Sequence, residues 1–596
     1  MKKLALVLAV VMVLSLGLTA CGGSTSSTGT ASSAPAGSSS SGSASDAAPA
    51  YNPDALQVKA LDDNTLQVTL TARTPYFLEL TAFPAYAPVQ QATVEANGEA
   101  WAVDAATYIG NGPYKIAEWV PSSHITMVKN ENYWNVDSLA GPDTLQFTLM
   151  EDDAAQLTAF QSGELDFIDA VPNDEIDALS STPEFYKEGQ IGTYYVSYNV
   201  EAAPFDDPLV RQAFTLAVDR DYICKQIGKS GQIPAGAFVS EGLSDAAEGS
   251  SFREVGGDYY DPTAGANEAN LAKAKELLAE AGYPNGEGLP TITYLYNEGT
   301  AHQQIGEALQ QMWGQLGATV TLESQEWATF LNTRKNGDYQ VARNGWLGDY
   351  NDPISFLDMW ITGGGNNDAQ WSNAEFDSLI KQIKSSGDAE ARMEMMHQAE
   401  DIIFDEWMLC PIYYYVDIYM AQQNLENLST SPLGFKFFMN ASNGTDTLKV
   451  CTGPDPDTID PALNSAVDGG TMIDHAFEGL YTVAYGTTPT PGQAESVEIS
   501  EDGLTYTFHL REGLKWSDGT PLTAHDFVYS WQRAVDPATG ADYAYMFECI
   551  AGYTEAINGE EYVAPAADAS SASTSESAAE SVSASTSESA STSAAA

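Results

Sequence analysis

Arg334 and Arg343 stand nine residues apart in NTRKNGDYQVARNGW, in a chain with only 25 Lys and Arg against 82 Asp and Glu. A guanidinium fork can hold a carboxylate through two parallel N–H groups, so such a pair could bind an anionic ligand end. The plainer reading is an ordinary surface ion pair. Other chemistry finds little support. His124, His302, His397, His475, His509 and His525 form no HExxH pair, and neither GxSxG nor a P-loop occurs. Asp455, Asp457 and Asp460 could suggest calcium, but the glycine and closing Glu of an EF-hand loop are missing, so turn formation is expected. Cys224, Cys410, Cys451 and Cys549 show no CxxC and no zinc spacing. Disulfides and free buried thiols both stay open for them. No metal or cofactor is expected.

The elements that must position these residues are alternating strands and helices. TITYLY at 291–296 alternates as a strand, a helix follows over Ala301–Leu316, and a second strand runs over Ala318–Leu322. This is a β-α-β unit. In its helix Ile305, Leu309, Met312 and Leu316 recur at helical spacing, and Gly317 closes it. A neighbouring helix over Ala269–Ala281 is stopped by Gly282 and Pro284. Leu56–Leu70 reads as a hairpin around DDNT, and Thr505–Leu510 as a strand. Thr523 is a good N-cap for the helix carrying Phe527 to Ala534. The fold class is α/β.

The ends have different compositions. Lys2 and Lys3 precede an apolar run from Leu4 to Leu18, which reads as a secretion signal and is short for a membrane span of about 20 residues. Residues 22–50 are almost all Ser, Gly, Ala, Thr and Pro, and 563–596 are rich in Ser and Ala. Neither tract can bury enough apolar surface to offset ordering entropy, so a disordered linker and a disordered tail are expected. The intervening stretch is too long for one core. A net charge of −57 excludes nucleic acid as a partner, because phosphates would be repelled.

Several motifs then point to a family. They are DGLTYTFHLREGLKWSDGTPLTAHDFVYSW at 502–531, Gly110-Asn111-Gly112-Pro113-Tyr114 with KNENYW at 129–134, and SGELDF at 162–167. PFDDPLVRQAFTLAVDRDYI at 204–223, VARNGWLGDYNDP at 341–353 and PIYYYVD at 411–417 complete the set. The chain resembles the extracytoplasmic oligopeptide- and dipeptide-binding proteins of ABC transporters, solute-binding family 5. Leu18-Thr19-Ala20-Cys21 resembles a lipobox, which implies lipidation of Cys21.

The family's order would put 446–562 ahead of 51–445, so the body reads as a circular permutation. Its natural ends would be joined through 438–445, a polar connection suited to a surface loop. The resemblance implies a periplasmic-binding-protein-like type II fold, with two main lobes and an extra third domain. A first domain would gather 446–480, 113–222 and 416–445, a second 481–562 plus 51–112, and a third 223–415. Ligand would lie between the first and third. The same resemblance implies the site. Asp349, with Gly345 before it, would hold a peptide ammonium, since a buried ammonium needs a carboxylate. Arg343, Arg334 and His302 would face the peptide carboxylate. Ser465-Ala466-Val467 would be the strand edge to which peptide backbone adds. Trp346, Tyr195, Tyr415, Tyr543 and Asn297 would line side-chain pockets, although aromatics at such places can equally be core. Gly192 and Leu347 stand where some relatives have a disulfide, and Gln190 replaces an aromatic.

The function so implied is a lipid-anchored, monomeric, non-enzymatic receptor on the outer face of the cytoplasmic membrane. It would pass short peptides to an ABC transporter permease. The alternatives are a non-peptide solute, a surface interaction protein and an exported hydrolase.

Overall fold

The computed structural model describes residues 50–247, 249–484 and 488–564. The expected signal, Cys21, most of the linker and most of the tail lie outside these residues. The described residues pack as a single unit around two large sheets, with two short two-stranded ladders besides.

The larger sheet is mixed. From one edge its strands are Val320–Gln325, Ile292–Asn297, Val341–Leu347, Phe185–Tyr198, Leu409–Ala421, Phe167–Ile168, Thr447–Gly453, Thr144–Leu149, His124–Lys129 and Tyr114–Val120. The short strand Ile233–Pro234 pairs with Leu409–Ala421 off this path. The expected β-α-β unit is present: Ile292–Asn297 and Val320–Gln325 run parallel, joined by the helix Thr300–Gly314. That helix buries Ile305, Leu309 and Met312, the apolar face read from spacing.

Two long antiparallel strands, Phe185–Tyr198 and Leu409–Ala421, connect the halves of this sheet. Their register shifts between Pro411 and Tyr413 and again between Tyr414 and Val416, so Tyr415 sits in an irregularity. Gly192 and Leu347 are cross-strand partners.

The smaller sheet draws on both ends of the described chain, in the order Val58–Asp62, Thr65–Thr69, Thr505–Leu510, Ala494–Ile499. The first two form the expected hairpin, and Thr505–Leu510 has the expected bounds. Tyr506, Phe508 and Leu510 point inward, and Phe77 meets Tyr506 edge-on at 4.9 Å. Burial of each such side chain contributes roughly 1.5–3 kcal/mol. Thr523 caps the helix Ala524–Val535 reciprocally with Asp526, whose carboxylate accepts the Thr523 N–H at 2.8 Å. On that helix, Trp531 donates its indole N–H to the Tyr86 carbonyl at 2.9 Å.

The outer ends of this region meet. The Asn52 N–H donates to the Ala556 carbonyl at 2.9 Å, and the Tyr51 hydroxyl to the Gln532 carbonyl at 2.6 Å. Gly559 lies so close to Ala50 that a Cβ there would be 2.1 Å from its carbonyl oxygen.

Three expectations are corrected. Ser465–Val467 is not a strand: Ser465 and Ala466 are coil, and Val467 opens the helix Val467–Ala476. The Asn464 side chain hydrogen-bonds the Ala466 backbone in both directions, which turns the chain into that helix. Phe438–Thr445 is only partly a surface loop. Phe438, Met439 and Ala441 are buried, and the Phe438 N–H donates to His475 Nε2 at 2.9 Å. Asp460 does more than form a turn: it is buried and pairs with both terminal nitrogens of Arg533. The four cysteines are free and buried. Among the described residues no helix is long and apolar enough to cross a membrane, and no group of three or more acidic, His or Cys side chains is placed to hold a metal.

Candidate functional site

The strand Val341–Leu347 leads directly into the site. It presents Arg343 and Gly345 on one face and is followed by Gly348 and Asp349. Behind it, Tyr195 and Tyr194 lie opposite Asn344 and Gly345 on the neighbouring strand. All the side chains expected to bind ligand border one cavity of about 540 Å³: Asp349, Arg343, Arg334, His302, Trp346, Tyr195, Tyr415, Tyr543, Asn297, Ser465 and Val467. Gly345 and Gln190 border it too.

Asp349 keeps part of its surface open to the cavity but is closely surrounded by protein. Its Oδ1 accepts the Tyr543 hydroxyl at 2.9 Å, and its Oδ2 accepts the Ser355 hydroxyl at 3.4 Å. Burial pushes its carboxyl well above the ordinary range, with Asp358 adding to the rise, while the hydrogen bonds from Tyr543 and Ser355 oppose it. No Lys, Arg or His pairs with it among the described residues. The loop is held from behind by Arg392, which grips Asp352 at 2.7 and 2.8 Å. Tyr543 is fixed by Phe83, edge-on at 5.0 Å.

The two arginines differ. Arg334 is in ion contact with Asp368, 2.8 Å from Nε to Oδ2, without hydrogen-bond alignment at Nε. It also donates to the Arg343 backbone carbonyl at 3.4 Å, so it braces the strand. Arg343 has no carboxylate partner among the described residues. It donates to the Tyr415 hydroxyl at 3.4 Å, lies 5.2 Å from the centre of the Tyr194 ring, and leaves Nε buried and unpartnered. Burial works against its charge, but the surrounding tyrosines outweigh this and hold its pKa above the usual value. Beside it, His302 Nδ1 is 3.2 Å from the Tyr194 hydroxyl. Burial first, and then the Arg343 charge, depress the His302 pKa far below its usual value, so it is a neutral hydrogen-bonding group.

Gly345 serves the packing. A Cβ there would lie 2.3 Å from the Tyr415 hydroxyl, so the absent side chain makes room for that phenol. Trp346 donates to the Ser355 carbonyl at 2.8 Å and is almost fully buried. Tyr195 is fully buried, with no hydrogen-bond partner for its hydroxyl among the described residues. Sequence reading missed Asp368, which occupies Arg334, and Ser355, which orients Asp349. Nothing in the local pattern marks either, because their partners are set by the fold. Ser355 lies only six residues from Asp349, so a loop acid followed by a hydroxyl was the one available hint.

The profile of bacterial extracellular solute-binding proteins, family 5 Middle, matches residues 27–368 and 488–586. The dipeptide-binding protein DppE of Bacillus subtilis is 37% identical over 385 residues, which is 64% of this chain and 69% of that protein. The oligopeptide-binding protein OppA of the same organism is 35% identical over 400 residues, 65% of this chain and 71% of that one. The structure of Haemophilus influenzae OppA in complex with RPPGFSPFR superposes with a TM-score of 0.57 at 29% identity, over 62% of this chain and 71% of that one. These relatives are binding proteins, and the family is one of receptors without enzymatic activity. The chain belongs to the bacterial extracellular solute-binding proteins of family 5.

Proposed function

We propose that this chain captures short peptides with a free amine in its cavity and delivers them to an ABC permease for import. One observation carries the reading. Asp349, a half-buried carboxylate without a cationic partner among the described residues, shares a cavity with Arg343, a guanidinium without a carboxylate partner among them. Each is costly to bury alone, and a zwitterionic ligand neutralises both. Its ammonium would meet Asp349. Its carboxylate would meet Arg343, with His302 and Tyr415 adding hydrogen bonds and Arg334 holding the strand in place. Gly345 and the coil at Ser465–Val467 would face its backbone, while Trp346, Tyr195, Tyr543 and Asn297 line the pockets. The relatives named for dipeptide and oligopeptide binding support the ligand class.

The receptor is a monomer, exported and held outside the cytoplasmic membrane through a lipid on Cys21. Its body has three domains in the order described above, and its segments follow one another as a circular permutation of the family. The mutual pairing of Thr65–Thr69 with Thr505–Leu510 supports this order, because it joins the two outer parts of the body into one sheet.

Mass spectrometry of ligands that co-purify with the protein tests the proposal. Short peptides with free amines are expected. A ligand lacking an amine would overturn it.

A further inference from the structure

The cavity holds more carboxylates than the proposed ammonium site uses. Some are already engaged. Asp368 pairs with Arg334, and Asp417 and Asp169 share Lys436 at 2.7 and 3.5 Å. Asp153 accepts the Thr300 hydroxyl at 2.9 Å. Lys335, the one lysine on the wall among the described residues, pairs with Asp542.

Leaving Asp349 aside, Glu151, Asp468 and, at the exposed rim, Glu298 have neither a cation nor a hydroxyl partner among the described residues, whereas Asp153 has the Thr300 hydroxyl but no cation. Glu151 follows the strand Thr144–Leu149, Asp468 lies in the first turn of the helix Val467–Ala476, and Glu298 follows Ile292–Asn297. Glu151 Oε1 and Asp468 Oδ2 are buried with no hydrogen-bond partner. Trp327 is near both: its backbone amide favours the Glu151 carboxylate, and its indole N–H, left without a hydrogen-bond partner among the described residues, lies close to that of Asp468. Burial, then Glu298 and Glu326, push Glu151 up to about 7, and burial pushes Asp468 up to about 6.

A separate observation concerns Asn297. It is only 8% exposed, lines the same cavity next to Glu298, and has an Oδ1 that is buried and unpartnered. Its Nδ2 is already donated to the Glu298 carbonyl at 3.1 Å. What it lacks is a donor. Neighbouring unpaired carboxylates lack a cation. One group supplies both needs.

We infer that this part of the cleft is a pocket for a basic side chain of the bound peptide, in which a Lys ammonium or Arg guanidinium donates to Asn297 Oδ1 and neutralises Glu151, Asp468 and Glu298. The inference rests on the reading of the cavity as a peptide site. The basic residue follows the first residue of the peptide. The segment from Asn297 leads to His302, which lies beside Arg343 at the carboxylate end.

Calorimetry on the full chain at pH 8 tests it, with tetra-alanine and with peptides in which one Ala is replaced by Lys, norleucine or Glu. At one position after the first, Lys should bind roughly tenfold tighter than norleucine, as one buried charge-assisted contact would give, and Glu should bind more weakly. In Asp468→Asn and, as an independent variant, Glu151→Gln, the ratio of Lys to norleucine affinity should fall toward one. Equal affinity for Lys and norleucine at every position, with tetra-alanine bound, would overturn the pocket alone. So would a Lys preference confined to the first position. If the folded protein binds none of the peptides, the peptide reading fails as well.

Discussion

Tyr543 donates its hydroxyl to Asp349 Oδ1 at 2.9 Å across 194 residues of sequence. The phenol comes from the segment nearest the end of the described chain and the acid from its middle, so the proposed ammonium site requires both parts to be folded together. A neutral donor fixes the carboxyl without supplying an opposing charge, which leaves that role to a ligand.

Replacing Asp349 with Ala should abolish binding of free-amine peptides. A ligand ammonium left without its buried partner loses on the order of 2–5 kcal/mol. Calorimetry with a tripeptide and its N-acetylated form checks this, and equal affinities for the unmodified protein would remove Asp349 from the amine site. The pH dependence follows in sign. Burial raises the Asp349 pKa in the empty protein, and an arriving ammonium favours the ionised form, so binding releases a proton. Affinity should therefore fall as pH drops below the raised pKa. Titrations in buffers of different ionisation enthalpy should show the release.

The two arginines should behave differently. Arg334→Ala leaves Asp368 buried and unpaired and should destabilise the fold by about 3–5 kcal/mol, measured by denaturant unfolding. Arg343→Ala breaks no ion pair, so its main effect should fall on ligand. It should remove the preference for a peptide with a free carboxylate over its C-terminal amide.

Gly345→Ala should weaken binding by roughly tenfold with little loss of stability, because the new methyl must push the Tyr415 hydroxyl from its place beside Arg343. Undiminished affinity, or a structure with Tyr415 unmoved, would refute this role for the glycine.

A chain ending at residue 445 should not fold. It would lack Thr447–Gly453, which lies between Phe167–Ile168 and Thr144–Leu149 in the large sheet, and Thr505–Leu510, the partner of Thr65–Thr69. Limited proteolysis should show rapid digestion, and adding a fragment of residues 446–564 should restore protection.

Local rules were legible and distant ones were not. The helix Ala524–Val535 could be read because its cap pair, Thr523 and Asp526, is three residues apart. The β-α-β unit could be read because its apolar periods change within one segment. Asp349 and Arg343 came from motif resemblance. The separate role of Arg334 did not, since its partner Asp368 is reached only through the fold. The resemblance implies a strand edge at Ser465–Val467, but Asn464 turns the chain there into a helix start. Glu151 and Asp468 lie more than 300 residues apart and carry no shared pattern, so only tertiary structure brings both to Trp327.

Tyr415 lies where the two longest strands fall out of step. The phenol that receives the Arg343 hydrogen bond is thus mounted on an irregular stretch of the ribbon linking the two halves. What this side chain can touch depends on how far that ribbon is bent, and whatever pushes it aside must bend the ribbon too. Molecular fit and overall posture become a single mechanical coordinate, so a bulky guest would be detected as a frame that fails to settle.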